Sequence, residues 1–286
     1  MTQAAGSTAS IDALIKELGG DKDKRAHAVE ALRGIGEPAI SALATAAYGP
    51  LEGTACGAAE ALAAIGGTQA ESVLATCLQG LAQALLQASM PFMMQGGLEK
   101  SNVRVPDRMG AFARALGELK AAEAVGALLA ALEITRHLDQ RPNAFGETTV
   151  WILRALGEIG NPKAVGKLSD LLWDKFYGGE SVRALGKIGD ARAVTPLVNR
   201  ITGGHGSHGT AIGVALKDIG AFEVVDDLIA QVAKEGPGPR TVDTLAALKA
   251  LTGQDFGLDT TAWTTWWKAE NVKRTKAAAA GRKSAR

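Results

Sequence analysis

The segment 178–201 shows an alternation of apolar and polar positions that predicts two short helices joined by a tight turn. Its apolar side chains recur every three or four residues, which places them on one face of each helix. These residues are Val182, Leu185 and Ile188 in the helix before the turn and Ala191, Val194, Leu197 and Ile201 in the helix after it. Gly189 ends the helix before the turn and Asp190 caps the helix after it. No stretch of the sequence shows sustained strand alternation, so the pattern predicts an all-α fold.

A six-residue motif shows that this two-helix unit is repeated along the chain. The hexamer "ALGKIG" at 184–189 recurs with substitutions at 31–36, 61–66, 115–120, 155–160, 215–220 and, in a decayed form, at 247–253. The spacing is about 30 residues except in two longer intervals, which we attribute to insertions at 85–106 and 139–147. A single two-helix unit cannot bury its apolar face, so neighbouring units must stack into one core. The repeat therefore predicts an α-solenoid.

The pattern V-R-A-L-G-x-I-G-D-x-R-A-V-x-P-L at 182–197 resembles the short HEAT-like repeat of phycobilisome-lyase-type proteins. The resemblance covers roughly residues 10–253 and is strongest at 147–233. It implies a right-handed α-solenoid of about seven two-helix HEAT-like repeats. In such solenoids the second helix of each repeat, here the helix that ends in the hexamer, lines a concave groove. HEAT-like proteins are mostly binding scaffolds, although some relatives are enzymes.

Three of the five tryptophans lie together just after the last repeat. They are Trp263, Trp266 and Trp267. Their spacing places them on one face of a short helix that Asp259 or Thr260 can cap. We interpret the Trp-rich segment 254–270 as a C-terminal cap over the apolar flank of the last repeat, with a ligand-binding platform as the alternative. The segment resembles the endings of other bacterial HEAT-like proteins.

Charge is distributed unevenly along the chain. The net charge is +1, but residues 271–286 contain six basic residues and no acidic ones, which leaves 25 basic and 30 acidic residues elsewhere. We expect this basic tail and residues 1–9 to be disordered, with the repeats occupying 10–253. The acidic body argues against binding of nucleic acid, except weakly through the tail.

Three further features bear on the compartment. Cys56 and Cys77 form no CxxC motif and no disulfide framework. The N-terminal residues lack the pattern of a signal peptide. No apolar run approaches the roughly 20 residues that cross a bilayer. We therefore expect a cytoplasmic protein without a membrane span, and the sequence leaves its oligomeric state open.

Alignment of the repeats on the hexamer predicts which side chains face the concave groove. The residue directly before the hexamer is Arg114, Arg154 and Arg183 in three consecutive repeats. Trp151 and Glu180 lie one helical turn earlier on the same face. Guanidinium groups beside an indole can grip a carboxylate or phosphate, so these five residues are a candidate binding site for a protein or peptide, including an acidic one. The alternative is a solvated ladder in which Glu180 pairs with Arg183 and Trp151 simply packs.

The first insertion has the most unusual local composition. It contains Met90, Phe92, Met93 and Met94, which are typical of adaptable apolar contact surfaces. We interpret these residues as a second candidate surface for a partner. The alternative is that the insertion fills its own local core. The second insertion is polar and is interpreted as a plain loop.

The stretch "GHGSHG" at 204–209 gives only weak evidence for a ligand site. It matches GxGxxG, but a helix rather than a strand precedes it, so the dinucleotide-binding context is missing. His205 and His208 lack the further ligands that zinc requires. We expect no cofactor, no metal site and no catalytic residue.

These observations favour a non-catalytic scaffold or adaptor that binds a protein or peptide in the concave groove. The sequence shows no constellation of nucleophile, base and orienting group. The resemblance leaves two alternatives open: a lyase-like enzyme or chaperone of the phycobilin-lyase type, and a DNA-binding HEAT-like protein. Nothing in the sequence assigns catalytic residues to the first alternative, and the acidic body argues against the second.

Overall fold

A computed structural model describes the backbone of residues 2–94, 107–138, 146–203 and 208–284, and the side chains of 10–89, 107–136, 147–203 and 208–277. Fifteen α-helices account for most of these residues, and no strand occurs among them. The helices are α1 (Thr2–Glu17), α2 (Lys22–Ile35), α3 (Ile40–Tyr48), α4 (Glu52–Ile65), α5 (Gly67–Met94), α6 (Asp107–Glu118), α7 (Val125–Leu138), α8 (Gly146–Ile159), α9 (Val165–Asp170), α10 (Gly178–Ile188), α11 (Val194–Thr202), α12 (Gly209–Ile219), α13 (Val225–Glu235), α14 (Pro239–Thr252) and α15 (Thr260–Ser284). The predicted all-α repeat fold is confirmed, whereas its handedness and number of repeats stay predictions.

The chain forms two compact units. Unit 1 consists of Met1–Lys167 with Lys175–Glu180, and unit 2 of Leu168–Asp174 with Ser181–Arg286. In unit 1 the second helices α2, α4, α6 and α8 contact one another in order, and α1, α3, α5 and α7 form another layer. In unit 2, α12 packs on α14 and α13 packs on α15. Each unit therefore buries its apolar residues between helices of neighbouring repeats, as the repeat pattern predicts.

A residue of positive φ ends the second helix of each repeat. In six copies of the hexamer this residue is a glycine with φ between 70° and 84°, namely Gly36, Gly66, Gly160, Gly189, Gly220 and Gly253. In the remaining copy it is Lys120, with φ 53°, the only non-glycine residue of positive φ in the described part of the chain. The next amide, of Ala121, donates to the Leu116 carbonyl at 3.1 Å, as in a Schellman motif.

A capped turn follows the hexamer and leads from the second helix of one repeat into the first helix of the next. The Asp190 carboxylate accepts a hydrogen bond from the Arg192 backbone amide at 2.9 Å, and the Asn161 side chain accepts one from the Lys163 amide at 3.0 Å. Each cap opens a single 3₁₀ turn that leads into the next α-helix, and Pro162 begins one of these turns. The predicted role of Asp190 as a helix cap is confirmed, and Asn161 has the same role in the equivalent turn, with Pro162 at its first helical position.

Small residues of the hexamer allow neighbouring second helices to approach closely. In unit 1 a β-carbon added to Gly117 would lie 2.8 Å from the Ala155 α-carbon. In unit 2 a β-carbon added to Gly186 would lie 2.9 Å from the Ala215 α-carbon. Carbon atoms do not approach this closely without a shift of the backbone, so a glycine is required at the contact. The glycine is the third residue of one hexamer and the alanine is the first residue of the next.

Two of the three tryptophans of the C-terminal segment are buried in unit 2, where α15 packs on α13. Trp263 is fully buried, Trp267 is 2% exposed, and Trp266 is partly exposed. Phe256 contacts Trp263 edge to face, with ring centroids 5.0 Å apart. The Asp259 carboxylate caps α15 by accepting from the Ala262 amide at 2.9 Å. The burial of Trp263 and Trp267 supports the interpretation of the segment 254–270 as a C-terminal cap.

The chain ends and the first insertion differ from the expectations drawn from composition. Residues 2–9 belong to α1, and residues 271–284 continue α15 instead of forming a disordered tail. The tail contains four consecutive alanines and follows a helix that its tryptophans already fix, so it extends an existing helix and needs no new nucleus. Residues 85–94 continue α5. The rest of both insertions, 95–106 and 139–145, lies outside the described residues.

Candidate partner-binding site

Trp151 lies between two arginines on the second-helix layer of unit 1. Trp151 and Arg154 are one turn apart on α8, and Arg114 lies on the neighbouring helix α6. The guanidinium carbon of Arg154 is 5.1 Å from the centroid of the indole ring, and that of Arg114 is 5.7 Å away. Both distances lie within the range of cation–π attraction. The structure thus brings together three of the five residues predicted for the groove.

A carboxylate within unit 1 already neutralises each of these two arginines. Arg114 Nη2 lies 2.8 Å from Glu60 Oε1, and Arg154 Nε lies 2.7 Å from Glu180 Oε1. Only 11% of the Glu180 side chain is exposed, so its negative charge requires partners within the fold, and Arg154 is one of them. Glu180, the fourth predicted residue, is therefore a support for Arg154. The two ion pairs hold the arginines against the indole.

A pocket lies at each end of the Trp151 side chain. The pocket toward the starts of α6 and α8 has a volume of ≈ 240 Å³ and is lined by Cys56, Glu60, Asp107, Gly110, Ala111, Arg114, Glu147, Thr148 and Trp151. The pocket toward their ends has a volume of ≈ 390 Å³ and is lined by Arg114, Gly117, Glu118, Lys120, Trp151, Arg154, Ala155 and Glu158. Carboxylates outnumber cations in the first lining, and cations outnumber carboxylates in the second. The indole therefore lies between an acidic pocket and a weakly basic pocket.

Cys56 lines the acidic pocket, but its surroundings keep the thiol protonated. Burial and, after it, the negative charge of Glu52 raise the pKa of Cys56 to about 11. The thiolate is the reactive form of cysteine, and at neutral pH it is scarcely populated here. Cys56 therefore contributes a neutral, weakly polar side chain to the lining of the pocket.

Two groups of predicted site residues stay predictions. Arg183 is exposed on α10 and belongs to unit 2, whereas the cluster around Trp151 belongs to unit 1. The side chains of Met90, Phe92, Met93 and Met94 lie outside the described residues, although the backbone there continues α5.

The histidine-containing stretch before α12 is described only in part. His205 lies outside the described residues, and His208 directly precedes α12 without capping it through its side chain. Among the described side chains, no group of three or more His, Cys, Asp or Glu residues is arranged to hold a metal ion.

Lys120 is a site residue that the reading of the sequence missed. It lines the basic pocket together with the predicted Arg114, Trp151 and Arg154. The signal was present in the sequence, because "ALGELK" ends in lysine where the other copies of the hexamer end in glycine. From the sequence alone, we treat that lysine as one of the ordinary substitutions of the motif and not as a chemical group in the site.

Comparison with known proteins supports the repeat assignment. A family model described as PBS lyase HEAT-like repeat matches residues 179–201, a span that includes most of α10 and α11. The match confirms the resemblance seen in residues 182–197. No curated protein matches the chain significantly. In the part of the chain that is described, every helix is too short or too polar to cross a membrane.

Proposed function

We propose that this HEAT-like repeat protein is a non-catalytic scaffold that binds a protein or peptide on the second-helix layer of unit 1, at Trp151. One observation carries the proposal: the indole is only partly buried, it lies between two guanidinium groups, and it borders a pocket at each end. A large aromatic side chain in such a position offers contact area to a partner.

The surroundings of Trp151 suit it for recognition. Arg114 and Arg154 hold the ring, and Glu60 and Glu180 hold the arginines. Because these side chains are already ordered, binding costs little additional conformational entropy. Tryptophan and arginine are also the residues that most often dominate the binding energy of protein interfaces. The two pockets can accept side chains that flank a contact on the indole.

A site-specific cross-linking experiment tests the proposal. A photoreactive phenylalanine analogue replaces Trp151 in the full chain, and cross-linked proteins are isolated from the native host and identified. Trp173, which is 49% exposed in unit 2, provides a matched control position with the same native side chain. We expect one protein to be captured from position 151 and not from position 173.

The affinity of the captured protein for purified variants completes the test. We expect Trp151→Ala to weaken binding about tenfold or more, and Trp173→Ala to leave it unchanged. Circular dichroism melting of both variants shows whether the fold is retained. Capture of identical proteins at both positions, or equal affinity of Trp151→Ala and the wild type, would overturn the proposal.

A further inference from the structure

Lys120 occupies a backbone position that the fold reserves for glycine. The corresponding residues of the six other hexamers are glycines of positive φ, and Lys120 adopts φ 53° in the same place. The left-handed conformation brings the β-carbon of an L residue close to its own carbonyl, so lysine is strained where glycine is not. Such outliers persist mainly where the side chain serves a function.

The fold itself gains little from the Lys120 side chain. The residue is exposed, and its ammonium group makes no ion pair or hydrogen bond within the described part of the chain. Its backbone amide still donates to the Gly117 carbonyl at 3.0 Å, as the helix end requires. Replacement by glycine would keep this hydrogen bond and remove the strain. Packing therefore does not explain the lysine.

Its location in the pocket does offer an explanation. Lys120 lines the pocket of ≈ 390 Å³ that Trp151 also borders, and the close contact of Gly117 with Ala155 contributes an apolar floor. A ligand side chain that enters this pocket can lie along the indole and the floor. Its end group can then reach the ammonium of Lys120.

The charges of the pocket decide what that end group is. The two arginines already have carboxylate partners in Glu60 and Glu180. Of the two carboxylates in the lining, Glu118 shares Arg114 with Glu60, at 3.8 Å, and Glu158 interacts with a residue other than Lys120. Lys120 is thus the lining cation left to balance a ligand, and a ligand of opposite charge is an anion.

We infer that Lys120 is a partner-binding residue, and that the pocket takes the carboxylate side chain of an acidic peptide, with the aliphatic part of that side chain on Trp151. This inference rests on the proposed binding of a protein or peptide at Trp151. A peptide is favoured over a nucleic acid because, among the described residues of the lining, one cation is left without a carboxylate partner, which suits a single carboxylate and not a row of phosphates.

The test uses the full chain and fluorescein-labelled probes in fluorescence anisotropy at low and moderate salt. The probes are a ten-residue Glu/Leu peptide, the matching Gln/Leu peptide and a single-stranded oligonucleotide. The variants are Lys120→Gly, Lys120→Gln, Lys120→Arg and Trp151→Ala. Lys217→Gln, at an exposed lysine of α12 in unit 2, controls for the loss of one positive charge.

We expect Lys120→Gly and Lys120→Gln to weaken binding of the Glu/Leu peptide about fivefold or more, and Lys120→Arg and Lys217→Gln to leave it near the wild-type value. Lys120→Gly should also melt about 2–4 °C above the wild type because its strain is relieved, which separates lost binding from lost folding. Higher stability together with weaker binding is the result that a purely structural lysine cannot give.

Other outcomes overturn the inference. These are no binding of the Glu/Leu peptide by the wild type, equal affinity of Lys120→Gly and the wild type, equal losses for the Gln/Leu peptide, or a Lys120-dependent preference for the oligonucleotide. If Trp151→Ala weakens binding of the captured partner while Lys120→Gly does not, the role of Lys120 fails and the scaffold proposal stands. If Trp151→Ala leaves that partner's affinity unchanged, the scaffold proposal fails as well.

Discussion

The indole nitrogen of Trp263 donates a hydrogen bond to the carbonyl oxygen of Gly257 at 3.0 Å. The bond ties the first turn of α15 to the loop that leads into it, and Phe256 lies edge-on to the same ring. The apolar ring of Trp263 is therefore buried, and its polar N–H group has a hydrogen-bond acceptor. The end of unit 2 depends on this residue.

Trp263→Ala should lower the free energy of unfolding by about 3–5 kcal/mol, since it empties a fully buried aromatic site. Trp266→Ala is the matched control and should cost clearly less, because Trp266 is partly exposed. Urea unfolding followed by circular dichroism measures both values. Equal losses for the two variants would contradict the role of Trp263 as the buried centre of the cap.

Gly117→Ala should lower the free energy of unfolding by about 1–3 kcal/mol through overpacking against Ala155. Gly126 provides a control on α7, because a β-carbon there meets no atom within 4 Å. Gly126→Ala should stabilise the chain by about 0.5–1 kcal/mol through helix propensity alone. Thermal melts of the two variants should therefore shift in opposite directions. A rise in melting temperature for both would show that α6 and α8 can move apart without cost.

Alkylation of Cys56 should be slow at pH 8 and should accelerate about tenfold for each pH unit up to about pH 11, the value to which burial and Glu52 raise the pKa of the thiol. At pH 8 the thiolate fraction is about one in a thousand. The experiment uses Cys77→Ala, so that Cys56 is the sole cysteine, and follows iodoacetamide labelling by mass spectrometry. A rate that levels off below pH 9 would contradict the assigned environment.

The Asp190 cap should fail in acid. Hydrogen bonds from the Arg192 guanidinium and backbone lower the pKa of Asp190 from 3.8 to about 2. A lowered folded-state pKa stabilises the fold above pH 3.8, and this contribution disappears as the pH falls to about 2. The stability difference between the wild type and Asp190→Asn should be constant from pH 5 to 7 and shrink between pH 4 and 2. Asn161, which caps the equivalent turn of another repeat, shows that the replacement fits. A pH-independent difference in urea midpoints would argue against the ion pair.

Local signals made most of the fold predictable from the sequence. Gly189 and Asp190 mark a helix end and a helix start through backbone conformation and a single hydrogen bond, and both effects depend on adjacent residues alone. The spacing of Trp263 and Trp267 likewise placed both rings on the buried face of α15. The helix at 271–284 was not predicted because the basic composition of the tail indicated disorder, whereas the tail continues a helix that is already anchored.

The candidate site was predictable only in part. Repeat alignment placed Arg114 and Arg154 near Trp151, because equivalent positions of stacked helices are neighbours in space. It did not show which carboxylate neutralises which arginine. Glu180 contacts Arg154, which lies 26 residues away in the sequence. The ion pairs depend on which side chains are long enough to meet across neighbouring repeats, and the spacing of residues in the sequence does not encode this.

The contact between Gly117 and Ala155 bears on how such a chain can change length in evolution. The hexamer at 155–160 meets the preceding repeat with its first residue, and its own third residue, Gly157, is again a glycine. The same hexamer thus contains both the alanine that contacts the preceding repeat and the glycine that can contact the next one. An in-frame duplication of a whole repeat would supply a fitting surface toward each neighbour at once. Repeats whose hexamer has glycine at its third position, as at 115–120, 155–160 and 184–189, can therefore be gained or lost without the evolution of a new interface.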